Sequence, residues 1–345
     1  MTTLSRDAFR AAVLARDGGK CVVCGAAAAD AHHLMERRLF VDEGFGNDPD
    51  NGVSLCAPHH LQAERTLIGP QDLREAAGIT RTILPAHLYA DEGYDKWGNI
   101  IRPDGTRTPG ELFWDTSVQK ALGEGDALGR FRPYVRHPRT YHLPWSEGAT
   151  RDDRIMPSTA ALEGCEVVAT VKLDGEQTSL YRGGLHARSL DWQGHASRDW
   201  VTALWARTCA DIPEGWRVCG ENMWAVHSLR YDSLASYFYV HSIWDAANIC
   251  LSWDQTLEWA QLLGLAVAPT LYRGPFSKSA LQALWKPALH EAMEGYVVRD
   301  AGSFGYREYR QRVGKFVRPG HVQDRKHWFF GTKLERNSLA ASSRA

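Results

Sequence analysis

The stretch Val171–Tyr181, VKLDGEQTSLY, sets one lysine, Lys172, at the end of an apolar run and follows it with Asp174 and Gly175. A Lys-x-Asp-Gly tetrad arises by chance in roughly one chain of this length in fifteen or twenty. Lys172 is therefore read as a nucleophile or as a strand-end charge only according to what surrounds it. Upstream, CEVVAT is a β-branched, apolar run. Downstream come TSLYRGG, WRVCGENMW, SYFYVHSIWD, EGYVVRD and GKFVRP, each short, rich in Val, Tyr, Phe and Trp, and bounded by Gly or charge. Helical patterns interrupt them near 197–209 and 253–263. Strands with interspersed helices and no regular βαβ alternation predict an α+β domain on antiparallel sheets.

The chain has 345 residues, 44% hydrophobic and 23% charged, which suits two domains or three small ones with real cores. Apolar runs near twenty residues are lacking, so no membrane association is expected, and the charged N-terminus is not a signal peptide. A cytoplasmic location with reduced thiols follows as an expectation. The net charge of −1 advertises no global basic field, although Arg307–Arg336 carries nine Lys/Arg against three Asp/Glu. Seven cysteines, an odd number, argue against a disulfide framework and for metal binding by the paired ones.

The pairs are Cys21-x-x-Cys24 and Cys56-x-x-His59, the spacing of a tetrahedral structural Zn²⁺ site on two tight turns. A segment of about eighty residues gains most from such a staple. Helices are expected at 4–16 and about 70–77, with another near 115–122. The expected organisation is a zinc-binding module over 1–84 and a connector over 85–157 that packs on the larger domain. A catalytic domain over 158–336 and a flexible tail over 337–345 complete it.

Between and after the zinc ligands lie His32, His33, Asn51 and His60. Together with the flanking pairs they resemble the HNH, or ββα-metal, nucleases. The resemblance implies His32 and His60 as ligands of a second metal, His33 as general base and Asn51 as loop organiser. The usual Cys-x-x-Cys-His ending is here Cys56-Ala-Pro-His59-His60. Whether the module cuts or only binds nucleic acid stays open, with binding favoured.

From Lys172 onward, six ordered motifs resemble the covalent nucleotidyltransferases, and most closely the RNA ligase 2 type of RNA ligase. They are VKLDG, ARS at 187–189, VCGEN at 218–222, YFYVHSIWD at 237–245, EGYVVRD at 294–300 and GKFVRPGHVQ at 314–323. The resemblance implies an ATP-grasp-like, antiparallel-sheet ligase adenylation domain that forms a lysyl–AMP bond at Lys172. It implies ATP, with Mg²⁺ or Mn²⁺ on Asp174 and Glu294. Gly175, Arg188, Glu221, Tyr239, His241 and Lys315 would bind the nucleotide, Tyr239 or His241 stacking on adenine. Lys315 and Arg318 would hold the α-phosphate, although the family usually reads Lys-x-Lys there.

A lysine attacking phosphorus must be neutral, so burial and the cations Lys315 and Arg318 are expected to lower its pKa. Only about 25 residues follow the last motif, too few for the OB-fold that DNA ligases carry, which favours RNA with 5′-phosphate and 3′-hydroxyl ends as partner. A bifunctional HNH endonuclease–ligase, and a ligase of DNA or mixed nicks, are the alternatives; protein partners are not readable.

Overall fold

The computed structural model describes residues 4–40, 45–150, 153–188, 195–289, 293–320 and 334–341. The chain divides into two compact units, residues 1–136 and 137–345. Among the described residues no helix is long and apolar enough to cross a membrane.

In the first unit, α1 (Arg6–Arg16) starts where Ser5 caps the Ala8 amide, and it buries Phe9 and Val13. These two pack on a two-stranded hairpin, β1 (Asp30–His33) and β2 (Gly52–Leu55), in which His32 faces Val53 in register. Gly52 is required there: a Cβ would lie 2.4 Å from the Phe9 ring. Helices α2 (Ala57–Glu64) and α3 (Pro70–Ala76) follow, each with proline in its first turn, where a missing N–H costs nothing. Three two-residue strands, β3 (Gly93–Tyr94), β4 (Ile100–Ile101) and β5 (Arg107–Thr108), make a small meander, and α4 (Thr116–Glu124) follows.

The expected 85–157 connector is not one segment. Tyr94, Trp97, Leu112, Val118 and Leu122 form a single core with Met35, Leu39 and Phe40, so 85–136 completes the first unit. The remainder, from His137, belongs to the second.

There the chain runs β6 (Tyr141–His142), β7 (Glu166–Val171), β8 (Glu176–Tyr181), β9 (Gly184–Ala187), α5 (Asp199–Thr208), β10 (Arg217–Asn222) and β11 (Phe238–Trp244). It continues through β12 (Ile249–Cys250), α6 (Trp253–Leu262), β13 (Ala266–Val267), β14 (Thr270–Pro275), α7 (Lys278–Gln282), β15 (Gly295–Asp300), β16 (Phe304–Gly305), α8 (Tyr309–Arg312) and β17 (Val313–Val317). Two mostly antiparallel sheets result: β14-β7-β15-β17-β6, and β16-β12-β11-β10-β8-β9 with β13 beside β11. The α+β expectation holds.

Period-two alternation decides which side chains face the other sheet. Val167 and Ala169 join Tyr296, Val298, Phe316 and Leu281 in the core on the outer face of the smaller sheet. Leu180, Val218, Phe238 and Val240 pack under α5 and α6. The intervening positions point inward, and there Cys219, Trp244, Val313 and Val297 pack the two sheets together.

Residues 337–341 of the expected flexible tail are held in place, and 342–345 lie outside the described residues. Asn337, 1% exposed, donates to the Met223 and Ala225 carbonyls at 2.8 and 3.1 Å and accepts from the Tyr231 amide at 2.9 Å. Its carbonyl accepts from the Tyr237 hydroxyl at 2.8 Å. Ser338 and Ala340 add backbone bonds to Tyr231 and Leu234. An alanine at 337 would leave three buried backbone groups unpartnered, so Asn337→Ala is expected to cost about 3 kcal/mol. A fall in the denaturant midpoint of the second unit checks it.

Candidate nucleotide-transfer site

Lys172 extends the inward row Val168 and Thr170 of β7 by one more alternation. Its amide donates to Gly295 O at 2.9 Å, fixing it against β15. Its ammonium pairs with Glu294, a carboxylate only 4% exposed. Glu221 lies on β10 opposite Tyr239 and accepts the Gly175 amide at 3.2 Å. A side chain at 175 would meet Asn222 O at 2.5 Å and Met223 Sδ at 2.7 Å, so the glycine lets this turn close on β10. Asp174 Oδ2 accepts the Ser228 hydroxyl at 2.6 Å and the Ser228 and Leu229 amides at 2.8 and 3.0 Å. The Asp174 amide donates to the Tyr231 hydroxyl at 3.2 Å. Tyr231 is the residue that Asn337 holds, so the 334–341 segment supports the loop that clamps Asp174.

The electrostatics differ from expectation at the lysine itself. Burial acts to lower the Lys172 pKa, but Glu294, Glu221 and Asp174 outweigh it and hold the amine above its usual value. Lys315 behaves as was expected of Lys172: burial, and then the Lys172 charge, pull it down to about 8. Burial pushes the Glu221 carboxyl up to about 8, with Lys172 opposing. Asp174 lies below its usual value; its burial acts upward, but the Ser228 bonds and the Lys172 charge prevail. The pocket thus gathers three carboxyl groups, Asp174, Glu221 and Glu294, around the ammonium groups of Lys172 and Lys315.

Lys315 lies inward on β17, in register with Val297 of β15 and His142 of β6. Its ammonium is 4.0 Å from Asp153, and His142 Nε2 is 3.4 Å from the same oxygen. Arg318 is buried, its amide donating to Glu294 O at 3.0 Å. Arg188 is exposed after β9, and its charge reaches Lys315. Ser189, and residues 321–323 of the last motif, lie outside the described residues.

The two aromatic candidates part company. Tyr239 is buried with Met223, Leu234 and Tyr237, and its hydroxyl accepts the Ala235 amide at 2.8 Å. The register between β10 and β11 shifts at Cys219/Gly220, leaving His241 without an opposite residue. Such an irregularity re-aims a side chain, and the His241 ring packs edge-on to His137, centroids 5.0 Å apart. Burial, then the Arg299 charge, lower its pKa to about 4, so it is neutral.

In the first unit, Cys21, Cys24, Cys56 and His59 bring their ligand atoms within 4.8 Å of one another. Cys24 Sγ and Cys56 Sγ are 3.8 Å apart, and His59 Nδ1 is 3.3 Å from Cys56 Sγ and 3.4 Å from Cys21 Sγ. A zinc tetrahedron with Zn–S near 2.3 Å and Zn–N near 2.1 Å has edges of about 3.8 and 3.6 Å. The four residues fit that ion. Burial acts against the Cys21 thiolate, yet amides of Cys56, Cys24 and Val23 bring its pKa down to about 6, the form a metal needs.

His32 and His60 come together edge-on, centroids 4.9 Å apart, and are joined by Glu64. The sequence reading missed Glu64, although it lies one helical turn after His60 on α2. Asn51 accepts the Met35 amide and donates to the Met35 and Gly46 carbonyls. His33 lies on the other face of β1, stacked on Phe9 at 4.2 Å and bonded to Asn47 Oδ1 at 3.1 Å. Asp153, His142, Ser228 and Tyr231 were also missed. Asp174 and Glu294 form no three-ligand cluster among the described residues; Mg²⁺ commonly needs only one or two carboxylates with substrate phosphates.

Residues 165–317 match the RNA ligase family model. Among solved structures, the chain is similar to the Naegleria gruberi RNA ligase, as a variant with ATP and Mn, at 15% identity and TM-score 0.38. That match covers 54% of this chain and 55% of that one. The same ligase with PPi gives 16%, 0.38, 77% and 70%. The chain thus spans about half the length of the first of these, and likeness at this level adds no weight to the assignment. No curated protein matches the chain significantly. Residues 165–317 are a nucleotidyltransferase domain of the RNA ligase type.

Proposed function

We propose that the protein is an ATP-dependent RNA ligase that joins 5′-phosphate and 3′-hydroxyl ends through a lysyl–AMP bond at Lys172. The observation that carries this reading is the placement of Lys172 at an inward strand end, ringed by Glu294, Glu221 and Asp174 and backed by Lys315. In the first step the neutral Lys172 amine attacks the α-phosphorus of ATP; an N–P bond forms, the α–β P–O bond breaks and pyrophosphate leaves. The 5′-phosphate of the RNA then attacks the same phosphorus and regenerates the lysine. Finally the 3′-hydroxyl attacks the 5′-phosphorus and expels AMP.

Each step is an in-line phosphoryl-type transfer in which positioning and electrostatics dominate. Lys315, with Arg318 nearby in the chain, would stabilise charge on the α-phosphate. Glu221 would accept from the ribose hydroxyls, and Tyr239 or His241 would stack on the base. A divalent cation on Asp174 and Glu294 would neutralise the carboxylates that hold Lys172 protonated and screen the phosphates. The zinc-stapled module would grip the nucleic acid.

Incubation with α-labelled ATP and Mg²⁺ should give a labelled protein that passes its label to 5′-phosphorylated RNA and seals nicked RNA. An unlabelled wild-type protein would sink the proposal, and a clear preference for nicked DNA over nicked RNA would replace its substrate.

A further inference from the structure

The cluster His32, His60 and Glu64 resembles a metal site, yet it already contains a cation. Lys96, its side chain 6% exposed, pairs through its ammonium with Glu64 Oε1. His32 Nδ1 lies 3.4 Å and His60 Nε2 3.7 Å from that same oxygen. All three basic groups therefore converge on one oxygen of the carboxylate that a metal shared by these residues would use. Lys96 is also held in place on both sides. Its carbonyl accepts the Glu36 amide at 2.9 Å, and the next residue, Trp97, donates Nε1–H to Glu64 O at 3.1 Å. The ammonium lies 5.1 Å from the Trp97 ring centroid, a cation–π distance.

We propose that the Lys96 ammonium stands where a divalent ion would sit in the His32–His60–Glu64 cluster, so that this cluster does not serve as the metal centre of a nuclease. A second cation placed there would displace the ammonium from its only carboxylate partner in the cluster, and that carboxylate is already neutralised. The position of His33 agrees: its ring lies across β1 from the cluster, engaged with Phe9 and Asn47, so the expected base does not face the expected metal. This inference is independent of the transfer chemistry at Lys172.

Elemental analysis after saturation with Zn²⁺ and desalting tests it. The wild-type chain should retain one zinc, at the cysteine site, and Lys96→Arg should also retain one. Lys96→Met should retain two, because it leaves the Glu64 carboxylate without its ammonium beside His32 and His60. Two zinc ions in the wild type overturn the proposal, as does one in a Lys96→Met chain that keeps its thermal transition. Should Lys96→Met not fold, the wild-type count still decides, together with Lys96→Gln. Cleavage of plasmid or RNA by the wild type in Mn²⁺ or Zn²⁺, absent in His33→Ala, would equally overturn it.

Discussion

Lys172→Ala is expected to eliminate covalent labelling by α-labelled ATP, a loss of at least about 10⁴-fold, as when the nucleophile of a covalent mechanism is removed. Lys172→Arg should fail equally, because a guanidinium keeps its proton at any accessible pH. The wild type should show a pH signature of its own. The neighbouring carboxylates hold the Lys172 amine above its ordinary value. Well below that pKa, each unit of rising pH multiplies the neutral, reactive fraction about tenfold. The labelling rate should therefore climb with pH at low Mg²⁺, with a slope near one on logarithmic axes. Raising Mg²⁺ should move the plateau to lower pH, since neutralising Glu294 and Asp174 removes what keeps the amine protonated. A flat profile between pH 6 and 9 at low Mg²⁺ would contradict this account of the pocket, even if Lys172 carries the label.

The position of Lys172 was legible because its strand obeys a local rule: period two carries Val168, Thr170 and Lys172 onto one face. The protonation of the same residue was not, because it depends on Glu221 and Glu294, which are brought near by strand pairings that span 38 to 46 residues in one case and 125 to 133 in the other. Asp153 and His142 failed for a related reason. The two-residue strand β6 has no periodicity to detect, its parallel pairing with β17 sets His142 beside Lys315, and Asp153 reaches both from a loop. The 85–136 region misled because its apolar residues come from two-residue strands and turns. Tyr94, Trp97 and Leu112 show no repeat in sequence, yet they share a core with Met35 and Leu39. Glu64 was within reach of sequence alone. A helix beginning at Ala57 puts residue 64 beside His60, and this i, i+4 relation is the simplest on a helix.

Removing the zinc staple is expected to unfold the first unit while sparing nucleotide transfer in the second. The core of Cys21, Leu34, Val53, Leu55, Ala63 and Leu73 is small, and it includes one of the zinc-site cysteines, with Cys56 packed against it. Structural zinc supplies about 10–16 kcal/mol to comparable small folds, as much as the whole stability of an ordinary domain. Cys24→Ala, or a zinc-selective chelator removed before Mg²⁺ and ATP are added, should therefore abolish a thermal transition belonging to residues 1–136. The hydrophobic clusters of the second unit are built from residues 141 onward, so its transition should persist. Labelling of Lys172 should survive with it, because every group that sets the lysine's charge lies beyond residue 153. Sealing should fall further than labelling, since the zinc-bearing unit is proposed to hold the nucleic acid and not the nucleotide. If a chelated protein keeps both transitions, the four ligands do not hold a structural metal. If labelling and sealing fall together, the two units do not divide the work in this way.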